Sequence, residues 1–350
     1  MEATTTLQII WFILITVLFI GFFFLEGFDY GVGMLLPFLG KEDRERRAIL
    51  NTIGPFWDGN EVWLLTAGGA SFAAFPHFYA TLFSGFFIAL ILMLLALIVR
   101  AVTFEYRSKA DSPKARSVWD WAFAISNFLI ALLWGVAVGN LIKGVELLPD
   151  PNYNGAPYVY YHGGLFGLLS PFTIITGLVF VFLFAMHGAN FLTLKISGPI
   201  LDRAKKVSKT LWIIATVVTV IFVLWALLGL EQYPYKLVAP TWIVAVLAAV
   251  ALLLVGFFNY KEKYGWGFIM GSLTIVLATI MVFVGLYPYL LPASNGLENS
   301  IAVFNASSSE YTLKVMTIVA VILVPIVLLY QIWTYRIFKD RVSVEDELEY

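Results

Sequence analysis

The sequence predicts an all-α integral membrane protein: nine transmembrane helices, arranged as two four-helix bundles plus one peripheral helix. Three observations carry this. Mean hydropathy is +0.86 and only 13% of the 350 residues are charged, too few to cover a soluble surface of this size. Apolar stretches of about 20 residues, the length that crosses a bilayer core, recur along the whole chain. Lysine and arginine concentrate in alternate connections, the pattern of loops held on one side of a membrane.

The spans are expected at 7–36, 52–75, 78–103, 118–142, 163–191, 207–230, 239–258, 265–290 and 311–337, from apolar run length. The first follows "MEATTTLQII", which lacks the basic n-region of a cleaved signal, and its apolar run is too long for an h-region. It therefore reads as a spanning helix. The second opens on "GPFWDGNEVWL", residues 54–64. Pro55 suits the first helical position, and Asn51 or Thr52 suits the cap. The "FPH" that ends it is short enough to imply an antiparallel pair with the third span. Gly135 and Gly139 give the fourth span a GxxxG step. Gly27, Gly31, Gly33, Gly54, Gly59, Gly68 and Gly69 are likewise read as positions of close helix approach. The longest outer connection, from Lys143 to His162, contains "LLPDPNYNGAPYVYYHGG". Its Pro, Asn, Gly and Tyr content suits an ordered interfacial loop.

The loops predict the orientation. One set of connections holds Lys41, Arg44, Arg46 and Arg47; then Arg107, Lys109, Lys114 and Arg116; then Lys195, Arg203, Lys205, Lys206 and Lys209; then Lys261 and Lys263; and finally Arg336, Lys339 and Arg341. That is 18 of the 22 basic residues, against Lys143, Lys236 and Lys314 on the other side. The N-terminus is thus expected outside and the C-terminus in the cytoplasm. An even number of spans would break the alternation. Spans one to four, about 1–143, and five to eight, about 163–290, share a layout of basic first loop and shorter second one, with the ninth span, about 311–337, added.

Charge in hydrocarbon costs roughly 2.5–3.5 kcal/mol per residue at a helix centre, so five side chains need a reason. Glu26 and Asp29 lie three apart on span one, Asp58 and Glu61 three apart on span two, and Arg100 at the inner end of span three. On consecutive spans they are expected at one depth, in the cytoplasmic half. Arg100 can pair with one or two of the acids. The others have no fixed cation in this chain, and acids near one face suit proton uptake, with Asp58 the first candidate and Glu61 a second. The structural alternative makes Asp29 and Arg100 an interhelical ion pair, with Glu26 as a further member, and Asp58 the cap of a broken helix.

Other chemistry is excluded or unsupported. There is no cysteine, so no disulfide, thiolate or iron–sulfur site. A net charge of −1 argues against nucleic-acid binding. His77, His162 and His187 are scattered, and no metal site is expected. No phosphate-binding glycine loop or nucleophile elbow is present.

The stretches "GFDYGVGMLLPFLG", "GPFWDGNEVWLLTAGGASFAAFP", "RAVTFEYRSK", "WDWAF", "YPYLLP" and "LKVMTIVAVILVPIVLLY" resemble subunit II of the cytochrome bd-type quinol oxidases, over essentially the whole chain. The resemblance implies a heterodimer with a haem-bearing subunit I in the bacterial plasma membrane, each subunit with two four-helix bundles and a peripheral helix. It implies quinol oxidation, dioxygen reduction to water, two b-type haems and one d-type haem ligated by subunit I, and a proton-motive force made without pumping. Small accessory subunits and a bound lipid or quinone are further partners it allows. No catalytic residue is then expected in this chain alone. By the same resemblance Asp58 matches an acid on the cytoplasmic proton route at the subunit interface, Asp29 and Arg100 match positions for assembly or haem environment, and Trp57 and Asn60 belong to the interface motif. Glu61 and His187 occupy positions where the family varies. A self-contained proton-coupled secondary transporter would use the same acids, yet such carriers place their sites near the midplane in broken helices. A purely structural scaffold explains the glycines but not four acids.

Overall fold

The computed structural model describes residues 5–149, 158–229 and 239–350. Residues 150–157 of the predicted interfacial loop, and Lys236, lie outside the described residues.

Helix α1, Thr6–Leu39, starts on a capping box in which Thr5 and Gln8 satisfy each other's amides. At about 51 Å it is longer than the hydrocarbon core. Its lower part is buried on every side, without interruption from Leu25 to Leu36. Glycine makes this possible: a Cβ added at Gly31 would stand 2.0 Å from the Phe184 carbonyl, and one at Gly27 would stand 2.8 Å from the Phe184 ring.

The expected second span is preceded by a separate amphipathic helix, α2, Asp43–Ile53. Asn51 and Thr52 lie inside α2 rather than capping the next element. The turn Gly54–Pro55–Phe56 follows, because Pro55 has no N–H to continue the ladder. Helix α3, Trp57–Ala74, then begins without a side-chain cap. The third span is likewise two helices, α4, Pro76–Gly85, and α5, Phe87–Tyr106. They part where Gly85 is overlain by Tyr161, 2.8 Å from an added Cβ.

Helix α6, Pro113–Lys143, is capped by Ser112. Strands β1, Leu147–Pro149, and β2, Val159–Tyr161, pair antiparallel. The fifth span opens with a short α7, Gly164–Leu168, and the long helix α8, Pro171–Lys195, restarts on a Ser170 cap with proline behind it. Helices α9, Pro199–Gly229, α10, Ala239–Tyr260, and α11, Tyr264–Leu286, follow. Strands β3, Tyr289–Leu291, and β4, Ile301–Ala302, pair antiparallel, and α12, Val303–Ala306, leads into α13, Glu310–Ile337.

Among the described residues, eight helices are long and apolar enough to cross a membrane. Helix α3, at 18 residues and carrying Asp58, Asn60 and Glu61, is not in that group. Helix α8 is the hub, packed on α1, α6 and α9, while α10 packs on α11. The GxxxG step meets α8 as expected, since a Cβ at Gly135 would reach Gly177 at 2.6 Å. Gly59, Gly68 and Gly69 behave differently: an added Cβ meets nothing within 4 Å.

The basic connections meet at one end of the molecule. Arg107, 1% exposed, bridges Asp120 at 2.7 Å and Asp43 at 2.8 Å; Arg46 also reaches Asp120, and Arg116 reaches Asp43. Arg203 joins Glu45 at 2.5 Å.

Candidate functional site

Four of the five charged residues picked from the sequence, Glu26, Asp29, Glu61 and Arg100, converge where α1, α3 and α5 meet near the basic end. Arg100 is fully buried. Its Nη2 lies 2.9 Å from Glu26 Oε2, and its Nη1 donates to Glu61 Oε2 at 3.0 Å. The guanidinium also lies over the Tyr30 ring at 4.8 Å and the Trp57 ring at 5.5 Å. Glu26 is fully buried, whereas the Glu61 side chain keeps 23% exposure. The Glu26 contact is ionic rather than an aligned hydrogen bond, so both Glu26 oxygens lack a hydrogen-bond partner among the described residues.

The expected Asp29–Arg100 pair is not formed; no such contact lies within 4.0 Å among the described residues. Asp29, also fully buried, instead accepts from Asn60 Nδ2 at 2.7 Å. Glu26, one helical turn earlier on α1, takes the guanidinium in its place. Glu26 and Asp29 stand three apart on one helix face, so which of them Arg100 meets depends on the rotation of α1 against α5.

Asn60 is fixed from its other side by α13. Its Oδ1 accepts from the Tyr335 hydroxyl at 2.8 Å and from Gln331 Nε2 at 3.2 Å, and Trp63 Nε1 donates to Gln331 Oε1 at 2.9 Å. Two donors on Oδ1 leave Nδ2 to face Asp29, which fixes the amide's direction. Tyr30, Gln331 and Tyr335 were not singled out from the sequence. The only signal for the last two was a pair of polar side chains late in an apolar span.

Asp58 stands apart. It is exposed in the first turn of α3 and forms no ion pair among the described residues. It heads a stripe of exposed residues, Asp58, Val62, Leu65, Gly69 and Phe72, that runs along one face of α3. Trp57, beside it, stacks parallel on Phe104 at 4.7 Å.

His187 is fully buried; its Nε2 is bonded to the Phe24 carbonyl at 3.2 Å and its ring lies flat on Phe268 at 4.6 Å. Its Nδ1 faces Gly271, 3.3 Å from where a Cβ would stand. A porphyrin has no room there, so His187 does not fit haem ligation. Among the described residues no three His, Asp or Glu side chains gather to hold a metal ion. An apolar cavity of about 590 Å³ lies between α1, α3, α5 and α8, lined among others by Phe19, Leu64, Gly68, Leu90 and Phe180.

This fold and site define a multi-pass membrane protein with a charge cluster built from three helices and keyed to a fourth. The chain matches the family model of cytochrome bd terminal oxidase subunit II over residues 7–338. It is 41% identical to the probable cytochrome oxidase subunit 2 of Haemophilus influenzae, over 96% of this chain and 95% of that one. It is 39% identical to the cytochrome bd ubiquinol oxidase subunit 2 of Bacillus subtilis, over 99% of both. It is 37% identical to the cytochrome bd-I ubiquinol oxidase subunit 2 of Escherichia coli K12, over 97% and 96%. Its fold is that of a chain in the structure of bd oxidase from Geobacillus thermodenitrificans, with a TM-score of 0.76 at 16% identity, covering 95% of this chain and 99% of that one. The protein belongs to the cytochrome bd terminal oxidase subunit II family.

Proposed function

We propose that this chain is the subunit of a quinol oxidase that ligates no haem itself, braces the haem-bearing subunit I and takes in protons from the cytoplasm. One observation supports the proton role: the acids decrease in exposure from Asp58 at the start of α3, through Glu61, to the buried Glu26 and Asp29, with Glu61 and Glu26 both on the buried Arg100. Asp58, exposed and unpaired among the described residues, is the inlet, and Glu61 is the next group along α3. The Arg100–Glu26 contact and the Asn60–Asp29 bond are the structural half of the site. Trp57 and Asn60 hold the frame in which Asp58 sits.

The names of the relatives, subunits of cytochrome bd ubiquinol oxidases, support the wider reading. The complex carries two b-type haems and one d-type haem, all on subunit I, which supply the electron transfer from quinol to dioxygen. This chain's residues deliver protons and exclude misplaced charge. Because protons for water formation come from the cytoplasm, turnover builds a proton-motive force without pumping. Helix α3 counts as a ninth crossing, with two four-helix bundles and α13 outside them, the N-terminus outside and the C-terminus inside. The exposed stripe of α3, with its open glycines, faces subunit I. The apolar cavity takes a lipid or quinone tail, and small accessory subunits join the periphery.

The test is the purified complex carrying Asp58→Asn. Haem content and spectrum stay at wild-type levels while oxygen reduction slows. Normal turnover with normal proton uptake refutes the inlet.

A further inference from the structure

After α13 the chain runs back across the basic end instead of leaving it. Lys195 donates to the carbonyls of Phe338 and, at 2.8 Å, Asp340. Arg341 donates to the carbonyls of Ile196 and Thr193 at 2.6 and 3.0 Å. Val342 forms a parallel bridge with Ile196, its amide on the Lys195 carbonyl at 2.7 Å. The segment then crosses to α2. Arg44 donates to the Val344 carbonyl, and Arg47 to those of Leu348 and, at 2.7 Å, Tyr350. Asn51 accepts from the Glu349 amide at 3.0 Å and donates to the Tyr350 carbonyl at 3.3 Å.

The segment ends its run on the turn that launches α3. The Tyr350 ring lies directly on Gly54, 2.3 Å from where a Cβ would stand, and edge-on to Phe104 at 5.4 Å. Trp57 stacks on the same Phe104, its ring parallel to it at 4.7 Å. Burial, and then the charges of Glu349 and Glu105, push the Tyr350 hydroxyl above its ordinary range, with a smaller contribution from Asp58.

This contact falls at a weak point. Helix α3 starts without a side-chain cap, and free amides at a helix start leave the first turn prone to fray. Asp58 is in that turn. Three aromatic contacts hold it instead: Phe56 stacked on Tyr335 at 4.3 Å, Trp57 stacked on Phe104, and Tyr350 seated on Gly54. The first two come from membrane helices. Only the third comes from a surface segment, and that segment is anchored to α2 largely through its backbone carbonyls.

We infer that residues 342–350 form a positioning clip for the proton inlet, in which Tyr350, held by Arg47 and Asn51, fixes the α2–α3 turn and so the direction in which Asp58 faces. Tyr350 acts through Gly54, and through Phe104 on which Trp57 stacks, and is a positioning residue. The inference rests on the reading of Asp58 as the inlet.

The test uses the assembled complex with Tyr350→Ala, Tyr350→Phe and each combined with Asp58→Asn. A displaced reacting group of the order of one ångström costs up to about a hundredfold in rate, and an alternating turn loses part of that. Tyr350→Ala is therefore expected to slow turnover about tenfold, with haem content and quinol KM unchanged and proton uptake slowed in step. Tyr350→Phe keeps the ring on Gly54 and restores most of the rate. In the Asp58→Asn background, Tyr350→Ala adds nothing. If Tyr350→Ala does not assemble, a specific protease site between Ser343 and Val344, cut after purification, releases the clip and gives the same slowing. Wild-type turnover in Tyr350→Ala or after cutting overturns the clip while leaving the inlet intact. Equal slowing with and without Asp58 also overturns it. If Asp58→Asn alone runs at the wild-type rate, the inlet fails, and the clip fails with it.

Discussion

Replacing Arg100 by leucine tests the charge cluster most directly. The wild-type guanidinium is fully buried, 2.9 Å from a Glu26 that is also fully buried and 3.0 Å from a Glu61 that is partly exposed. Removing one partner of a buried pair costs about 3–5 kcal/mol, because the other charge stays behind without compensation. The Glu61 contact adds little, since a pair open to solvent is worth about 0–1 kcal/mol. The two aromatic contacts are each worth about 0.5–2 kcal/mol, and they are lost together with the pair rather than on top of it. The expected loss is therefore about 3–5 kcal/mol, or roughly a hundred- to several-thousandfold in the population of the assembled state. The assay is the yield of complex per unit membrane, its haem-to-protein ratio and its thermal inactivation midpoint. Arg100→Leu is expected to fall sharply in all three. Arg100→Leu with Glu26→Gln, which removes the stranded charge, is expected to recover much of the loss, whereas Arg100→Leu with Asp29→Asn recovers little. Wild-type yield and midpoint in Arg100→Leu would refute the reasoning, and rescue by Asp29→Asn rather than Glu26→Gln would refute the pairing.

Other outcomes follow from the same geometry. Tyr335→Phe removes one of two donors to Asn60 and should lower stability by about 1 kcal/mol, read as a small drop in the inactivation midpoint; Asn60→Leu, which strips Asp29 of its hydrogen bond, should cost more. Gly31→Ala drives a methyl into the Phe184 carbonyl and should abolish folding, whereas Gly69→Ala should leave the chain's own folding unchanged, as judged by size-exclusion profiles of the two variants in detergent. Glu45, outside the spans, feels burial that raises its pKa, but hydrogen bonds from Arg203 and from the Lys41 and Glu42 amides outweigh it and hold it below 4.5. Its contribution, about 1 kcal/mol for a partly exposed pair, is present above that value and lost as pH falls through the lowered one. Glu45→Gln should then lower the midpoint at neutral pH and converge with wild type in acid.

The helical class and most spans were legible because hydropathy is a property of each segment alone. The breaks were harder. Pro55 was read as the first residue of a helix, yet it separates two, because the charged α2 lies along the basic end and its polarity hid it as a loop. The α4–α5 break carried only the weak mark of Gly85 within an apolar run, and the side chain that lies over it, Tyr161, comes from a strand far along the chain. The cluster was legible as a set of residues but not as a set of pairs, since the choice between Glu26 and Asp29 is made by helix rotation. The partners of Asn60 on α13 lie some 270 residues away, beyond any local pattern. Nothing in "EDELEY", residues 345–350, marks its docking on α2, because hydrogen bonds to its backbone carbonyls leave no trace in side-chain identity.

The enclosure of α1 also sets a schedule for synthesis. Its buried lower half needs α8, whose Phe184 and Gly188 close directly on Gly27 and Gly31, and those residues are made about 150 positions later, of the order of ten seconds at typical elongation rates. During that interval Glu26 and Asp29 can meet their partners Arg100 and Asn60 on α5 and α3, but the α8 side of α1 stays open. The glycine face of α1, Gly27 and Gly31, is what waits for the second half of the chain. Mutations that slow the making of α8 should therefore act first on the stability of the new chain in the membrane, before any finished oxidase exists to be impaired.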